Sequence, residues 1–241
     1  MSTKYPSIET LYARNKATNR LDFMTIRSPI WECVSSWLLT EKVDGTNIRV
    51  TYDDKTMHVK GRTDNANTPA DLMNGIHKLM PYERIKEALA DTEYNLRENF
   101  KITFYGEGYG AGIKGSDAQF YRRIGKAYRC FDVCITYITE DKYGNPVEEN
   151  RILSVHDWLQ LCMLLKIPMV PTVGTVRELP YGEDAAKEMI LQFLPHSLVA
   201  WEENNEIATP TEGVVARPSE PLYDKYRERL IWKLTTREFK R

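Results

Sequence analysis

The pattern of apolar and polar positions along the chain predicts β-strands first. Runs that alternate between apolar and polar residues, and that are rich in β-branched and aromatic side chains, are typical of half-buried strands. The predicted strands are 37–43, 47–52, 56–62, 101–107 and 128–138, with further candidates at 169–176, 213–217 and 229–235. Asp53 and Asp54 separate the second run from the third, which predicts an antiparallel hairpin. The sequence YGNP at 143–146 predicts another turn.

Helical periodicity, with apolar residues three and four positions apart, is strongest in three segments. These segments are 82–98, 154–166 and 183–194. Ser154 is the predicted N-cap of the second segment, and the third begins after Gly182. Because the strands cluster in hairpin-like groups and do not alternate strictly with helices, we predict an α+β fold with antiparallel sheets flanked by helices.

Length and composition predict a folded, globular chain. With 241 residues, of which 42% are hydrophobic and 28% charged, the chain has enough apolar material for a core. One compact domain over residues 1–241 is the default expectation. The N-terminus lacks the basic-then-apolar pattern of a signal peptide, and the longest apolar runs fall short of the roughly 20 residues that a membrane span needs. We therefore predict a cytoplasmic protein with no membrane partner.

The spacing of the cysteines predicts their chemical state, and the distribution of charge shows two basic segments. The chain has four cysteines, which are Cys33, Cys130, Cys134 and Cys162. Because they form no CxxC pair, we predict buried free thiols, with neither a zinc site nor a disulfide framework. The net charge is −1, yet the segments 121–129 and 217–241 are basic. Such patches suit a polyanion bound on one face, although ordinary solvated surfaces explain them equally well.

The sequence EKVDGTN at 41–47 is the first candidate for chemistry. Lys42 is followed two residues later by an Asp-Gly turn at the junction of two predicted strands, which presents an amine on a rigid loop. A surface hairpin turn is the ordinary alternative. An unperturbed lysine, with a pKa of about 10.4, is neutral in roughly one molecule in two thousand at pH 7. A lysine that attacks a phosphate therefore needs neighbouring cations or partial desolvation to depress its pKa.

Four further segments follow EKVDGTN in a particular order. They are FYGEG (104–108), CFDVC (130–134), EGVVAR (212–217) and LIWKLTTREF (230–239). Together the five segments resemble the nucleotidyltransferase motifs I, III, IIIa, IV and V that ATP-dependent DNA ligases, RNA ligases and mRNA-capping enzymes share. The resemblance spans residues 41–239, and the shared order of five matches makes it specific.

Asn47 and the segment KGRT (60–63) bring the resemblance closest to the phage nick-sealing RNA ligases of the RNA ligase 2 type. DNA ligases and capping enzymes generally carry arginine where this chain has Asn47. The resemblance implies a ligase-type nucleotidyltransferase fold with the nucleotide site between the sheets. It also implies an ATP-dependent RNA ligase, acting in RNA repair, that joins 3′-hydroxyl and 5′-phosphate ends through a lysyl-AMP intermediate. The implied partners are RNA ends in a nicked or broken duplex or loop, and a phage source is compatible with the resemblance.

The resemblance implies a role for each site residue. The implied catalytic residues are Lys42 as the adenylylated nucleophile, Glu212 and Lys233. The implied nucleotide-binding residues are Glu41, Asn47, Arg62, Glu107 as a ribose ligand, Phe131 as the ring that stacks on adenine, and Lys233. ATP is the implied cofactor with Mg²⁺ or Mn²⁺, and Glu212 is the implied metal-organising carboxylate, a hard oxygen ligand suited to such cations. Without the resemblance, Phe131 would be predicted as core and Glu212 as a surface acid.

The chain departs from the family pattern in motif V and after it. Motif V usually contains K-x-K. Here Thr235 replaces the second lysine if Lys233 is the first, and Ile231 replaces the first lysine in the alternative register. Arg237, or a residue elsewhere, is the candidate replacement. The chain also stops soon after motif V, so we expect no C-terminal OB-fold or accessory domain, and a protein partner in its place is left open.

Two other functions fit the same motifs. A minimal ATP-dependent DNA ligase would use the same lysine and metal with a different nucleic-acid surface. A nucleotide-binding module without turnover would keep only the pocket. The glycine-rich segment GEGYGAG (106–112) is not interpreted as a phosphate loop, because it lacks the following Lys-Ser/Thr and the strand-to-helix setting. The histidines have no metal-ligand spacing.

Overall fold

The structure is a computed structural model that describes residues 4–64, 66, 68–113, 118–204 and 209–240. The chain forms two compact units. Unit 1 comprises Met1–Tyr5 and Gly45–Met169, and unit 2 comprises Pro6–Asp44 and Val170–Arg241. The boundary between the units therefore falls inside the sequence EKVDGTN.

Strands make up most of the regular structure in both units. The strands are β1 (Glu9–Thr10), β2 (Tyr12–Arg14), β3 (Leu21–Ile26), β4 (Trp37–Glu41), β5 (Thr46–Tyr52), β6 (Met57–Gly61), β7 (Phe100–Gly110), β8 (Lys126–Glu140), β9 (Pro146–Ile152), β10 (Thr172–Val176), β11 (Gly213–Arg217) and β12 (Trp232–Thr235). The α-helices are α1 (Ala70–Leu79), α2 (Tyr82–Leu89), α3 (Ala118–Tyr121), α4 (Val155–Leu164), α5 (Glu183–Phe193) and α6 (Leu198–Asn204), and 3₁₀ helices span Pro29–Cys33 and Thr236–Lys240. No helix of the described residues combines the length and apolarity needed to cross a membrane.

Unit 1 is built on a five-stranded antiparallel sheet with the order β6-β5-β7-β8-β9. Alternation along β5 gives this sheet a core face and a polar face. Ile48, Val50 and Tyr52 are fully buried on the core face. Asn47 and Arg49 lie on the opposite face, because successive strand residues point to opposite sides. On the polar face, Asn47 is partly buried and Arg49 is buried.

Both predicted turns of unit 1 are confirmed. Asp53 Oδ1 accepts the backbone N–H groups of Lys55 and Thr56, which closes the hairpin between β5 and β6. The YGNP segment joins β8 to β9. Strand β9 itself was not predicted, because its sequence PVEENRI is polar on both faces. Such a sequence is typical of an edge strand, where charge discourages pairing with other chains.

Two of the three predicted helices have nearly the predicted bounds, and the other is shorter. Ser154 caps α4 as predicted, since its Oγ accepts the Asp157 N–H at 3.1 Å. Helix α2 ends at Leu89 rather than at residue 98. The Thr92 hydroxyl donates to the Leu89 carbonyl at 2.8 Å and also accepts a backbone N–H, which gives the chain a local alternative to the helix. Helix α1 was missed because Gly75 lies inside it.

Unit 2 contains a two-stranded β2–β3 sheet and a five-stranded sheet with the order β1-β12-β11-β4-β10. The pairs of the larger sheet are antiparallel except β1 with β12. One face of the sheet packs into an apolar core that includes Trp37, Leu39, Val214, Trp232 and Leu234. Ile190 of α5 belongs to the same core. The predicted α+β class with antiparallel sheets is confirmed, whereas β1, β2 and β3 were not predicted.

The cysteine prediction is confirmed for three of the four residues. All four cysteines are free thiols, and Cys130, Cys134 and Cys162 are buried. Cys33 is exposed, so the prediction of burial was wrong there. Cys33 ends a 3₁₀ helix whose buried side chain is Trp31, and the turn leaves the cysteine on the solvent side.

We predict that Ser154→Ala lowers the free energy of unfolding by about 1 kcal/mol, because the Asp157 N–H loses its capping acceptor. Urea denaturation measures this loss. Ser28→Ala is the matched control, since Ser28 occupies the N-cap of the 3₁₀ helix but makes no side-chain cap hydrogen bond. Equal losses in the two variants would show that the Ser154 cap does not stabilise α4.

Candidate active site

Lys42 lies in an ion-pair cluster of unit 2. It directly follows β4, and its backbone N–H donates to the Gly213 carbonyl at 2.9 Å. Its Nζ donates to Glu212 Oε2 at 2.7 Å. Arg237 Nη2 donates to the other carboxylate oxygen, Glu212 Oε1, also at 2.7 Å. The Glu212 side chain is only 6% exposed, so one nearly buried carboxylate is neutralised by two cations.

The backbone around Glu212 is fixed on both sides. The Thr236 N–H donates to the Glu212 carbonyl at 2.8 Å. Gly213 has a positive φ of 147°, and a Cβ at this position would lie 2.1 Å from the Leu234 carbonyl oxygen. Glycine is therefore required directly after Glu212. This requirement explains the Glu-Gly pair that begins the EGVVAR segment.

The register of the unit 2 sheet places Lys42 and Lys233 on the same face. Val215 pairs with Thr40 on β4 and with Lys233 on β12. Lys42 is two residues beyond Thr40, so it shares the face of Thr40 and Lys233. This face lies opposite the one that packs into the apolar core. Two predicted catalytic lysines are thus presented on the side of the sheet that the core does not occupy.

The structure shows where Arg237 lies, whereas the sequence of motif V does not decide which residue replaces the missing lysine. Thr235, at the position of the second lysine in one register, and Ile231, at the position of the first lysine in the alternative register, are both buried. Arg237 is instead bonded to Glu212 and lies 3.7 Å from Asp44 Oδ2. It therefore brings a guanidinium to the cluster that holds Lys42. The prediction that Arg237 replaces the absent lysine is compatible with this position.

Glu41 has a role that the sequence did not suggest. Its carboxylate is buried, with 1% exposure, and lies at the N-terminus of α6. One oxygen accepts the Ser197 hydroxyl at 2.6 Å, and the other accepts the N–H groups of Leu198 and Val199 at 3.0 and 3.1 Å. Carboxylates at helix N-termini satisfy unpaired N–H groups and complement the helix dipole. Glu41 thus anchors the strand end that carries Lys42, and its nucleotide-binding role remains a prediction.

In unit 1 the sheet register lines up two predicted nucleotide-binding residues. Asn47 pairs with Glu107, and Glu107 pairs with Arg129. Residues directly opposite one another share a face of the sheet, so these three residues form one row on the polar face. Arg62 directly follows Gly61, the last residue of β6, which pairs with Ile48 next to Asn47.

Asn47 has an unsatisfied acceptor. Its Oδ1 is buried and has no hydrogen-bond partner among the described residues. Buried polar atoms are nearly always hydrogen-bonded, and an exception needs a reason. A ribose hydroxyl or a water molecule on a bound cation would supply the missing donor. Asn47 therefore fits a ligand that brings a donor to the polar face.

Arg49 holds the segment that carries Arg62. Its guanidinium is buried, with Nε donating to the Gly61 carbonyl and Nη2 to Asp64 Oδ1, both at 3.0 Å. These two bonds bracket Arg62 on either side. The Arg49 hydrogen bond, followed by that of Lys60, lowers the pKa of the exposed Asp64 carboxyl below its usual value. Sequence reasoning missed Arg49, although a charged residue between buried positions of a strand was the available signal.

Phe131 is the extra residue of a β-bulge. Tyr105 pairs with Asp132 while the adjacent Gly106 pairs with Cys130, so Phe131 has no partner on β7. A bulge re-aims a side chain, and here Phe131 is only partly buried although it lies mid-strand. The Tyr5 ring centroid lies 5.0 Å from that of Phe131. The Tyr5 hydroxyl donates to Asp132 Oδ2 at 2.7 Å, so Tyr5 contacts both Phe131 and Asp132.

Glycine permits the close approach of the EKVDGTN loop to β7 within unit 1. A Cβ on Gly45 would lie 2.3 Å from the Gly108 carbonyl oxygen. The sequence predicts only an Asp-Gly turn at this point. The contact gives Gly45 a stricter role, because any side chain would push β5 away from Gly108.

Two carboxylates of unit 2 are suited to a hard cation. Glu212 and Asp44 both lie against Arg237. No group of three or more His, Cys, Asp or Glu side chains is arranged as a metal site in the described part of the chain. A cation of the Mg²⁺ type usually takes one or two protein carboxylates and fills its other positions with water and phosphate oxygens. Glu212 and Asp44 therefore fit such an ion when a phosphate ligand accompanies it.

The model of the RNA ligase family matches residues 35–235. The chain therefore belongs to the RNA ligase family. Comparison with curated proteins gives no sequence match.

Solved structures of an RNA ligase from Naegleria gruberi share the fold. A lysine variant with ATP and Mn has a TM-score of 0.57 and 16% identity over 98% of this chain and 63% of that one. The same ligase with PPi has a TM-score of 0.56 and 16% identity over 98% and 62%. A variant with AMP and Mn has a TM-score of 0.56 and 16% identity over 97% and 62%. The chain thus spans less than two thirds of that ligase, and the likeness confirms the ligase-type nucleotidyltransferase fold.

We predict that Glu41→Ala destabilises the protein by about 3 kcal/mol in the absence of any nucleotide. The substitution leaves the Ser197 hydroxyl and two backbone N–H groups buried without an acceptor, at about 1–3 kcal/mol for each unsatisfied group. Glu41→Gln keeps one acceptor oxygen and should lose roughly half as much. Thermal and urea unfolding of the nucleotide-free protein measure both losses.

Glu188→Gln is the control for the Glu41 variants, because Glu188 is exposed on α5. It should change the free energy of unfolding by less than about 0.5 kcal/mol. Nucleotide-free stability of Glu41→Ala equal to that of Glu188→Gln would contradict the anchoring role. A defect seen only with ATP would then favour nucleotide binding.

Proposed function

We propose that this chain is an ATP-dependent RNA ligase that works through a covalent lysyl-AMP on Lys42. The single observation that carries the proposal is the 2.7 Å pair between Lys42 Nζ and Glu212 Oε2, formed by the two residues that sequence motifs I and IV single out. Membership of the RNA ligase family supports the same reaction class.

The first step joins the Lys42 nitrogen to the α-phosphorus of ATP. Lys42 faces Glu212 as a positively charged ammonium, so Nζ must first lose one proton to free its lone pair. The Nζ–P bond then forms, the bond between the α-phosphorus and the pyrophosphate oxygen breaks, and the nitrogen loses a second proton to give the phosphoramidate. The loss of charge on Nζ removes its attraction to Glu212, so the two side chains separate as the nucleotide binds.

Glu212 and Asp44 are the residues that we assign to the divalent cation. A bound Mg²⁺ or Mn²⁺ supplies neutralising charge to the phosphates, which is the main requirement of phosphoryl transfer. Glu212 would turn its carboxylate from Lys42 to that ion. Arg237 and Lys233 would supply the remaining positive charge to the departing pyrophosphate, where the family usually has two lysines.

Four residues of unit 1 are assigned to the nucleotide. Phe131, turned by its β-bulge, would stack on adenine, and Glu107 would accept a ribose hydroxyl. Asn47 Oδ1 has the unsatisfied acceptor that a hydroxyl or a cation-bound water would fill. Arg62 would contact a phosphate, and Arg49 positions it through the Gly61 and Asp64 bonds.

The later steps pass AMP to RNA and seal the break. An oxygen of the RNA 5′-phosphate attacks the adenylyl phosphorus, and the Nζ–P bond breaks, which gives a 5′-5′ pyrophosphate. The RNA 3′-hydroxyl then attacks the 5′-phosphate, loses its proton, and releases AMP. Nicked or broken RNA is the substrate class we propose. The alternatives to an RNA ligase are a minimal DNA ligase and a nucleotide-binding module without turnover.

We predict that incubation with Mg²⁺ and ATP adds one AMP to the protein and that GTP and NAD⁺ substitute poorly. Intact-mass spectrometry detects the addition. Lys42→Ala should gain no AMP, and Glu212→Ala should lose most of the adduct while remaining folded. A folded wild-type protein that gains no AMP would favour the nucleotide-binding module. A Lys42→Ala protein that gains AMP would remove Lys42 from its role.

We predict that Arg237→Ala slows adenylylation at least about tenfold, which corresponds to roughly 1.4 kcal/mol of lost transition-state stabilisation. Arg237→Lys should recover part of the rate, since it keeps the charge but loses the planar guanidinium. Arg14→Ala is the matched control because it removes the ion pair to the neighbouring Glu238 in the same unit. Single-turnover rates that fall equally in Arg14→Ala and Arg237→Ala would show a structural effect only.

We predict that a nick whose 3′ strand ends in ribonucleotides is sealed faster than an all-DNA nick. A 2′-hydroxyl and A-form geometry near the 3′ end are the features that distinguish RNA. Binding should weaken steeply with salt, because phosphate contacts release condensed counterions. Equal sealing rates for the two nicks over a range of salt concentrations would favour the DNA ligase alternative.

A further inference from the structure

We propose that the hairpin of residues 218–230 is an RNA-binding element that grips the strand beyond the reacting end. The inference rests on the proposed function and adds a surface that neither the motifs nor the family assign. The hairpin joins β11 to β12, the strand after Glu212 and the strand that carries Lys233. Its tip is formed by Lys225, Tyr226 and Arg227. We call residues 218–230 the binding hairpin.

The binding hairpin is an ordered structure. Tyr223 and Arg229 form an antiparallel bridge, and the Leu230 N–H donates to the Leu222 carbonyl at 2.8 Å. At the tip, Asp224 Oδ1 accepts the N–H groups of Tyr226 and Glu228 at 2.8 and 2.9 Å. The tip side chains are therefore presented on a fixed backbone.

The tip presents an aromatic ring together with cations. Tyr226 is 72% exposed, although it is a large side chain with an apolar ring. Lys225 Nζ lies 4.9 Å from the centre of that ring. Arg227 is exposed beside them. An exposed ring on which a base can stack, flanked by cations for the phosphates, is the combination that single-stranded nucleic-acid sites use.

The chain contains the same turn a second time, in unit 1. Residues 141–145 begin with Asp-Lys-Tyr, and Asp141 Oδ1 accepts the N–H groups of Tyr143 and Asn145. Lys142 Nζ lies 4.9 Å from the centre of the Tyr143 ring. The fourth residue has positive φ in both turns, 78° at Gly144 and 64° at Arg227.

The fourth residue distinguishes the two turns. Glycine adopts a positive φ without strain, whereas a residue with a long side chain does so at a cost. The 141–145 turn shows that this backbone needs no side chain at that position. Arg227 instead adds a cation next to Tyr226, and such strained positions cluster at functional sites. The difference between Gly144 and Arg227 at the same position of the two turns points to a ligand for the Arg227 side chain.

Charge favours nucleic acid over a protein partner. Lys225, Arg227 and Arg229 give the 223–229 segment an excess of positive charge over Asp224 and Glu228. The 141–145 turn has one lysine and is preceded by Glu140. The whole hairpin, which also contains Glu220, has three basic and three acidic residues, so the positive charge offered to the phosphates of RNA is the local charge of Lys225 and Arg227 beside the Tyr226 ring.

Position within unit 2 indicates which part of the RNA the hairpin contacts. Lys42 bonds to Gly213 at the first residue of β11, whereas the hairpin leaves from Arg217 at its last residue. Four residue steps of about 3.4 Å separate these ends by about 14 Å. That distance corresponds to roughly four nucleotide steps. The base of the hairpin therefore lies roughly four nucleotide steps from the strand end that holds Lys42, and we infer that the tip contacts RNA away from the bond being formed.

Binding of a fluorescent single-stranded RNA by fluorescence polarisation, without ATP or Mg²⁺, tests the proposal. The RNA should have roughly ten nucleotides, which exceeds the separation above. The triple variant Lys225→Ala, Tyr226→Ala, Arg227→Ala should bind at least about fivefold more weakly. The slope of log affinity against log salt should shrink by about 1 to 2, because two phosphate contacts are lost.

Two further variants separate stacking and charge from general disruption. Tyr226→Phe keeps the ring and should bind like the wild type. The double variant Lys142→Ala, Tyr143→Ala removes the matching ring and cation of the other turn and should also bind like the wild type. Arg227→Gly makes the tip sequence match that of the 141–145 turn, so it should raise Tm while weakening RNA binding.

The adenylylation assay keeps this proposal distinct from the proposed function. All hairpin variants should gain AMP from Mg-ATP as the wild type does, which also shows that they are folded. A wild-type protein that gains no AMP would refute the ligase proposal itself. Wild-type RNA affinity in the triple variant, or an equal loss in the Lys142, Tyr143 variant, would overturn the binding hairpin. A protein partner would then be the better explanation of the exposed ring.

Discussion

The ion pair between Lys42 and Glu212 is the interaction on which the rest of the site depends. A carboxylate that is 6% exposed is stable only when opposite charge accompanies it, and Lys42 and Arg237 both supply that charge. Gly213 fixes the backbone beside Glu212, and Glu41 fixes the strand end beside Lys42 through α6. The Lys42 amine is therefore held by its ion pair with Glu212, and a nucleotide bound as we propose would have to compete with that contact.

In each unit, strand alternation places the core residues on one face of the sheet and the polar residues on the other. In unit 2 the face with Trp37, Val214 and Trp232 builds the core, so the opposite face can present lysines at little cost in packing. In unit 1 the core residues Ile48, Val50 and Tyr52 of β5 are separated by Arg49 and Thr51, which belong to the polar face. Because the side-chain period of a strand is two, a shift of register by one residue would exchange the apolar and polar side chains between the two faces. The register of strand pairing therefore determines both the packing of the core and the positions of the polar side chains.

Much of the strand pattern, the Ser154 cap and two turns followed from local sequence, because each depends on residues close together in the chain. The role of Glu41 did not, because its partners lie more than 150 residues away. The bulge at Phe131 depends on a register shift that alternation cannot reveal. Strand β9 was missed because an edge strand lacks an apolar face. Lys42 was a candidate from its Asp-Gly loop, whereas Glu212 was singled out by the family resemblance alone, and the contact between them is a tertiary feature.

The central claim is that the Lys42 nitrogen becomes the covalent carrier of AMP. Peptide mapping after incubation with Mg²⁺ and ATP tests it most directly. Trypsin does not cut after a lysine whose nitrogen is adenylylated, so the account predicts AMP on an uncut peptide of residues 28–49. Fragmentation should place the added mass on Lys42. AMP found on Lys233 or on any other residue, with the 28–49 segment cut normally after Lys42, would contradict the account.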